Sequence, residues 1–163
     1  MSRDKKKSRI NYTLVFLVEI AGLMVLSFMA VAIEGEAGGV FGRSFAYGMS
    51  ADFWLFLSVG VMLVLPLMVS GLDVRLLGVL LSGLLIGGVL EDFLWFVVNP
   101  AYGVSRFNPG SASWQTWSAV GPLALPTFYF VYIIAAMFVW LVLVRNAETV
   151  QRAIENVVGK KED

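Results

Sequence analysis

Residues 83 to 103, Gly-Leu-Leu-Ile-Gly-Gly-Val-Leu-Glu-Asp-Phe-Leu-Trp-Phe-Val-Val-Asn-Pro-Ala-Tyr-Gly, constrain this chain more than any other stretch. They place two adjacent carboxylates, Glu91 and Asp92, in an apolar run of helical length that stops at Asn99-Pro100. Even lenient insertion scales put the cost of an Asp at the centre of a membrane helix at about 2.5 to 3.5 kcal/mol. Acids in such a run must face protein, water or a ligand.

Composition makes a membrane the expected setting. The chain is 58% hydrophobic and 15% charged, against about 45 to 50% apolar and 25% charged in soluble domains. Its formal net charge is zero, so no nucleic-acid partner is expected. Lack of cysteine removes any disulfide framework or thiolate nucleophile. Histidine is lacking too, and with it the commonest general base and the usual ligand of haem, zinc and non-haem iron. No metal and no cofactor is expected.

Four apolar runs, at about 10–33, 53–72, 74–98 and 123–144, are each long enough to cross a hydrocarbon layer of about 30 Å. The first carries a single charge, Glu19; although Ala30-Val31-Ala32 imitates a cleavage site, the run is longer than the roughly 7 to 15 apolar residues of a secretory signal. Pro66 inside the second is tolerated where neighbouring helices satisfy the freed carbonyl. Between the second and third runs, residues 71–75 allow only a tight turn, which predicts an antiparallel hairpin. Residues 34–52, with Phe41, Phe45 and Tyr47, and residues 99–122 are loops. Trp114 and Trp117, three apart, fit one side of a short interfacial helix. Pro126 is expected in the first turn of the last span. Beyond Arg145, the spacing of Ala147, Val150, Ile154 and Val157 against Glu148, Arg152 and Glu155 predicts an amphipathic helix that extends the last span into the aqueous phase. The expected fold is therefore all-α: a four-helix transmembrane bundle over residues 1–144 with an amphipathic helical tail over 145–163.

Basic residues orient this bundle. Arg3, Lys5, Lys6, Lys7, Arg9, Arg75, Arg145, Arg152, Lys160 and Lys161 fall on one side, and only Arg43 and Arg106 on the other. Positive charge stays inside, so both termini are expected in the cytoplasm and both long loops outside, in a multi-pass protein of a prokaryotic cytoplasmic membrane.

Depth then follows from the helical rise. Glu91 and Asp92 lie about 10 Å below the outer boundary, with Tyr129 and Tyr132 of the last span at a similar level. Gly83, Gly87, Glu91 and Trp95 share one helix face; the Gly83-x-x-x-Gly87 spacing admits a close helix neighbour and is a candidate seam for a homo-oligomer or membrane partner. Glu91 is expected to point into the bundle, and Asp92 to align with Gly88 and Phe96. Glu19 falls near mid-membrane, about 12 Å deeper than Glu91, either as a neutral acid hydrogen-bonded to a neighbouring helix or as a relay step. Arg106 is expected either to pair with an acid or to face solvent and lipid phosphate.

The pattern Glu91-Asp92-x-x-Trp95-Phe96-x-x-Asn99-Pro100-x-Tyr102-Gly103, followed by Phe107, Trp114, Trp117, Pro126 and Tyr129, resembles that of a group of small uncharacterised prokaryotic integral membrane proteins. The likeness covers about the last half of the chain and implies that Glu91, Asp92, Asn99, Pro100, Tyr102, Gly103, Trp114, Trp117 and Tyr129 form one unit; it implies no activity. Where that group has histidine beside the tryptophans, this chain has Ser113, Gln115 and Thr116.

The expected site comprises Glu91, Asp92, Trp95, Asn99, Tyr102, Trp114, Trp117, Tyr129 and Tyr132, with charge from the acids, hydroxyls from the tyrosines and apolar walls from the tryptophans. A carboxylate pair walled by aromatics suits a small solute, a cation or a proton entering from outside. It also suits the bland role of anchoring the loop. Two further alternatives remain open: a membrane enzyme acting on lipid or isoprenoid through the acidic pair, and an accessory subunit with no small ligand.

Overall fold

The computed structural model describes residues 10–34, 51–71, 73–100 and 102–159, with 32–34, 51–56 and 158–159 described by their backbone alone. The basic head, the loop that follows the first helix and Lys160 and Lys161 lie outside the described residues, as do the side chains of Glu34 and Trp54.

The chain is mostly helical. Helix α1 covers Tyr12–Glu34, α2 Ala51–Ser70, α3 Val74–Val98, α4 Thr127–Val139 and α5 Ala147–Gly159. Three stretches, Tyr12–Val31, Val74–Val98 and Thr127–Arg145, are long and apolar enough to cross a membrane. Their outward sides are rows of exposed large apolar side chains, such as Leu17, Val18, Phe28 and Met29 on α1 and Ile134, Met137 and Phe138 on α4. So much exposed apolar surface suits lipid and not water.

Helix α3 is central. Its Gly83 and Gly87 meet Glu19 and Leu23 of α1 so closely that a Cβ at either glycine would overlap the opposing side chain. Residue numbers rise together across this seam, so α1 and α3 are parallel. On another face, Gly88 meets the Tyr132 ring, Ser82 Oγ donates to the Ala136 carbonyl at 3.4 Å, and Gly78 leaves room for Leu143 and Val144. Here the numbers run in opposite senses, so α4 is antiparallel to α3. Small residues thus let α3 approach two neighbours, and that close approach is what holds helices together where apolar burial supplies no drive. The Gly83 and Gly87 face, expected as a candidate seam, is filled from within the chain by Glu19 and Leu23 of α1. Helix α2 lies at the periphery, with Met62 against Gly22 of α1.

The turn between α2 and α3 is short, as expected, and uses a positive φ of 83° at Gly71. Asp73 caps α3. Its Oδ1 accepts from the N–H groups of Arg75 and Leu76 at 2.7 and 3.0 Å, and its Oδ2 accepts from the Tyr12 hydroxyl at 2.9 Å. One carboxylate thus ties the start of α3 to the start of α1.

Three expectations are corrected. First, the fold is not purely α: strands β1 (Trp117–Val120) and β2 (Leu123–Pro126) pair antiparallel, with Val120 opposite Leu123. A two-residue turn closes them, with φ +59° at Gly121, the position where a hairpin turn of the II′ type needs glycine. Apolar runs as short as Leu123 to Leu125 do not distinguish strand from helix. The last span accordingly begins at Thr127, with Pro126 as its N-cap. Second, no helix forms over Trp114 and Trp117; a 3-10 turn occurs earlier, at Val104–Arg106. Third, the tail does not simply prolong α4. A π-helical segment at Trp140–Arg145 and a break at Asn146, whose side chain donates to the Leu141 carbonyl at 2.8 Å, separate α4 from α5.

Two outcomes follow for stability. Gly87→Leu is expected to lose about 1 to 3 kcal/mol through overpacking against Leu23, whereas Gly60→Leu, where an added Cβ meets no described atom within 4 Å, is expected to change little; reversible unfolding in detergent micelles compares them. Burial pushes the Asp73 carboxyl up, but the N–H of Leu76, the Tyr12 hydroxyl and the N–H of Arg75 together outweigh this and hold it below its ordinary value. Asp73→Ala is therefore expected to lose about 1 kcal/mol. A depressed value means the difference is full above the ordinary carboxylate range near pH 4 and shrinks as pH falls through the folded value; unfolding followed against pH measures it.

Candidate functional site

The distal end of α3 is built by its own termination. Asn99 caps the helix, donating its N–H to the Trp95 carbonyl at 3.0 Å, while its own carbonyl accepts from the N–H groups of Tyr102 and Gly103 at 3.2 and 2.9 Å. Pro100 cannot continue the helix, and Gly103, at φ 66° and ψ 165°, turns the chain back over the helix end. Asn99 is almost fully buried. It shapes the turn from beneath.

The returning loop is organised by its own polar groups. Asn108 Oδ1 accepts from the N–H groups of Gly110 and Ser111, both at 3.0 Å, and Asn108 Nδ2 donates to the Ser105 carbonyl at 2.9 Å. Trp117 Nε1 donates to the Ala112 carbonyl at 2.9 Å. Thr127 N–H donates to the Thr116 carbonyl at 2.8 Å, fastening the loop to the start of α4.

Aromatic rings fill the space below. Phe96 is fully buried and meets Trp95 at 5.0 Å, Phe107 at 5.1 Å and Trp114 in a stacked arrangement at 6.3 Å. Tyr102 lies 5.0 Å from Trp95, and Phe107 lies 5.1 Å from Trp117 and 6.1 Å from Tyr129. Such pairs add about 0.5 to 1.5 kcal/mol each beyond area burial, so the loop is a packed cap. Arg106 lies over the Tyr102 ring at 5.3 Å, a cation–π contact at the surface of the cap.

Asp92 is the polar centre of this end. Its Oδ2 accepts from the Tyr129 hydroxyl and its Oδ1 from Gln115 Nε2, each at 2.7 Å. One carboxylate therefore joins α3, the loop and α4. Both donors are neutral, and no cation pairs with Asp92 among the described residues. Glu91 is half-buried on the adjoining face.

Sequence and structure can be compared residue by residue. Asp92, Trp95, Asn99, Tyr102, Trp114, Trp117 and Tyr129 do gather at one end of the bundle. Tyr132 does not join the Asp92 hydrogen bonds: its ring packs on Phe128 at 5.3 Å and over Gly88, and it is partly exposed. The emphasis on Glu91 shifts to Asp92, whose side chain faces α4. Gln115, Phe96 and Phe107 were not singled out for the site. Nothing in the spacing of Gln115 marks it as a partner for Asp92. Among the described residues no group of three or more His, Cys, Asp or Glu could hold a metal ion.

Comparison of the chain with family models, curated proteins and solved structures finds no match. The chemistry of this end is therefore read from its geometry.

Tyr129→Phe and Gln115→Leu each remove one donor from a largely desolvated carboxylate, a loss of about 1.5 to 3 kcal/mol for a hydrogen bond to a charged group. Each is expected to loosen the cap, detected as faster proteolysis between residues 104 and 117 and altered tryptophan emission. In Asp92→Asn, the two donor substitutions are expected to cost less, and a double-mutant cycle measures the coupling.

Proposed function

We propose that this is a multi-pass membrane protein that binds, or lets pass, a small cation or a proton at the carboxylate and aromatic site around Asp92. The observation that carries the reading is the charge of Asp92. It lies among rings at the end of a membrane-length helix, accepts from one phenol and one amide, and meets no basic side chain among the described residues. A carboxylate so placed is balanced either by a proton or by a cation that exchanges with it. Glu91, next in sequence, doubles the negative charge that a ligand would meet. Trp95, Tyr102, Trp114 and Trp117 supply π faces of the kind that attract cations and organic ammonium groups.

In this reading α1 to α4 form a four-span bundle with the termini in the cytoplasm, supported by the distribution of Lys and Arg. The capped end then faces outward and the Asp73 turn inward. The membrane is that of a prokaryote, as the resemblance of the Glu91 to Tyr129 pattern suggests. Four spans are few for a complete pathway, so passage calls for a second copy or a partner. With the Gly83 and Gly87 face occupied, the exposed sides of α2 and α4 are the surfaces left for it.

The loop-anchoring alternative has an observation of its own, since both Asp92 oxygens are already taken. Asp92→Asn separates the two, because an amide keeps the shape and the Tyr129 bond but not the charge. Purified wild type is expected to gain thermal stability with increasing concentrations of sodium, potassium or tetramethylammonium, at constant ionic strength, and the variant to lose that response while keeping its fold. A wild type that unfolds at one temperature in all these cations and across neutral pH would leave Asp92 as a loop anchor only.

A further inference from the structure

A second carboxylate lies in the seam between α1 and α3, away from the cap. Glu19 is only 4% exposed, and neither of its oxygens has a hydrogen-bond partner among the described residues. Its carboxyl lies against Gly83, where even a methyl group would overlap it. One turn on, Leu23 covers Gly87 in the same fashion. Because parallel helices rise equally per residue, a further turn brings the fully buried Ser27 level with Glu91; beyond that, Ala30 and Trp95 share one cluster. From the Asp73 turn toward the cap, the seam therefore presents an acid, a leucine, and then a layer containing a hydroxyl and a second acid.

Among the described residues, the surroundings of Glu19 offer its charge no hydrogen bond. On α1 its seam neighbours are Phe16 and Leu23, with Tyr12 two turns below and already bonded to Asp73. From α3 it meets Gly83, with Glu91 two turns above and Arg75, over the Tyr12 ring at 5.7 Å, two turns below. The segment after α4 contributes Trp140, packed edge-on to Phe16 at 5.6 Å; Arg145 lies farther along, exposed. The described side chains of α2 include no titratable group. A bare carboxylate without donors is poorly tolerated in an apolar interior, whereas the same group carrying its proton is neutral.

We propose that Glu19 is an intramembrane proton-binding site, closed onto Gly83 as the carboxylic acid and parting α1 from α3 as the carboxylate, with Leu23 on Gly87 separating it from the Ser27 and Glu91 layer. The ligand is a proton, and the only bond made or broken is O–H at the Glu19 carboxyl. The site stands apart from the reading of Asp92.

Infrared difference spectroscopy of the protein in lipid, stepped from neutral to alkaline pH, tests this directly. Wild type is expected to show at neutral pH the C=O band of a buried carboxylic acid, which Glu19→Gln lacks and Asp92→Asn retains. Since the chain has no cysteine, spin labels at Met29→Cys and Val97→Cys, both exposed, report the separation of α1 and α3. That separation is expected to lengthen as the band disappears, and to stay constant in Glu19→Gln. If the glutamine variant does not fold, Glu19→Asp, expected to shift the band without removing it, makes the assignment. Lack of the band at neutral pH, its persistence in Glu19→Gln, or an unchanged label distance after its loss overturns the proposal. A wild type that shows the band but no cation response refutes only the reading of Asp92.

Discussion

Backbone-close contact between α1 and α3 at Gly83 and Gly87 is the constraint on which the remainder of the bundle depends. In hydrocarbon, apolar side chains gain nothing by leaving lipid for protein, so helices must adhere through dense packing and a few polar contacts. Glycine provides the density. By admitting Glu19 and Leu23 to the surface of α3, it also determines that an acid of α1 is covered by protein. The same helix uses Gly78, Ser82 and Gly88 against the antiparallel fourth helix. A single helix with two small-residue faces thus organises both neighbours.

The two ends of α3 are closed by one device in different settings. At the Asp73 end a carboxylate caps the helix and bonds a tyrosine of α1. At the other end Asp92 bonds a tyrosine of α4 and a glutamine of the loop. The first is partly solvated and has Arg75 nearby; the second sits beneath a cap of rings with no counter-charge among the described residues. Similar devices therefore make a partly solvated tie in one place and a tie beneath packed rings in the other.

Much of the candidate site was legible from residue types. Asn99-Pro100 followed by Tyr102-Gly103 announces a turn, and aromatic residues spread over 95 to 129 have few places to go except onto one another. Gln115 was illegible because its partnership with Asp92 depends on how a loop of more than twenty residues folds back, and no local period encodes that. The hairpin at Gly121-Pro122 was hidden for a related reason: its strands are apolar and short, and hydropathy merges them with the helix that follows. That Tyr129 and not Tyr132 bonds Asp92 was illegible because position along a helix gives depth more reliably than direction.

Sequence alone determined that the chain is mostly helical and apolar enough for lipid, where its acids fall along the helices, and which end carries the aromatic loop. These follow from composition and from the fixed rise of a helix, which need no knowledge of neighbours. Tertiary structure decided which acid meets which donor: Asp92 at the centre of the cap, and Glu19 on Gly83 without a hydrogen-bond partner among the described residues. Those outcomes turn on rotations of about 100° between successive residues and on which helix lies opposite, and both are set only when the helices pack.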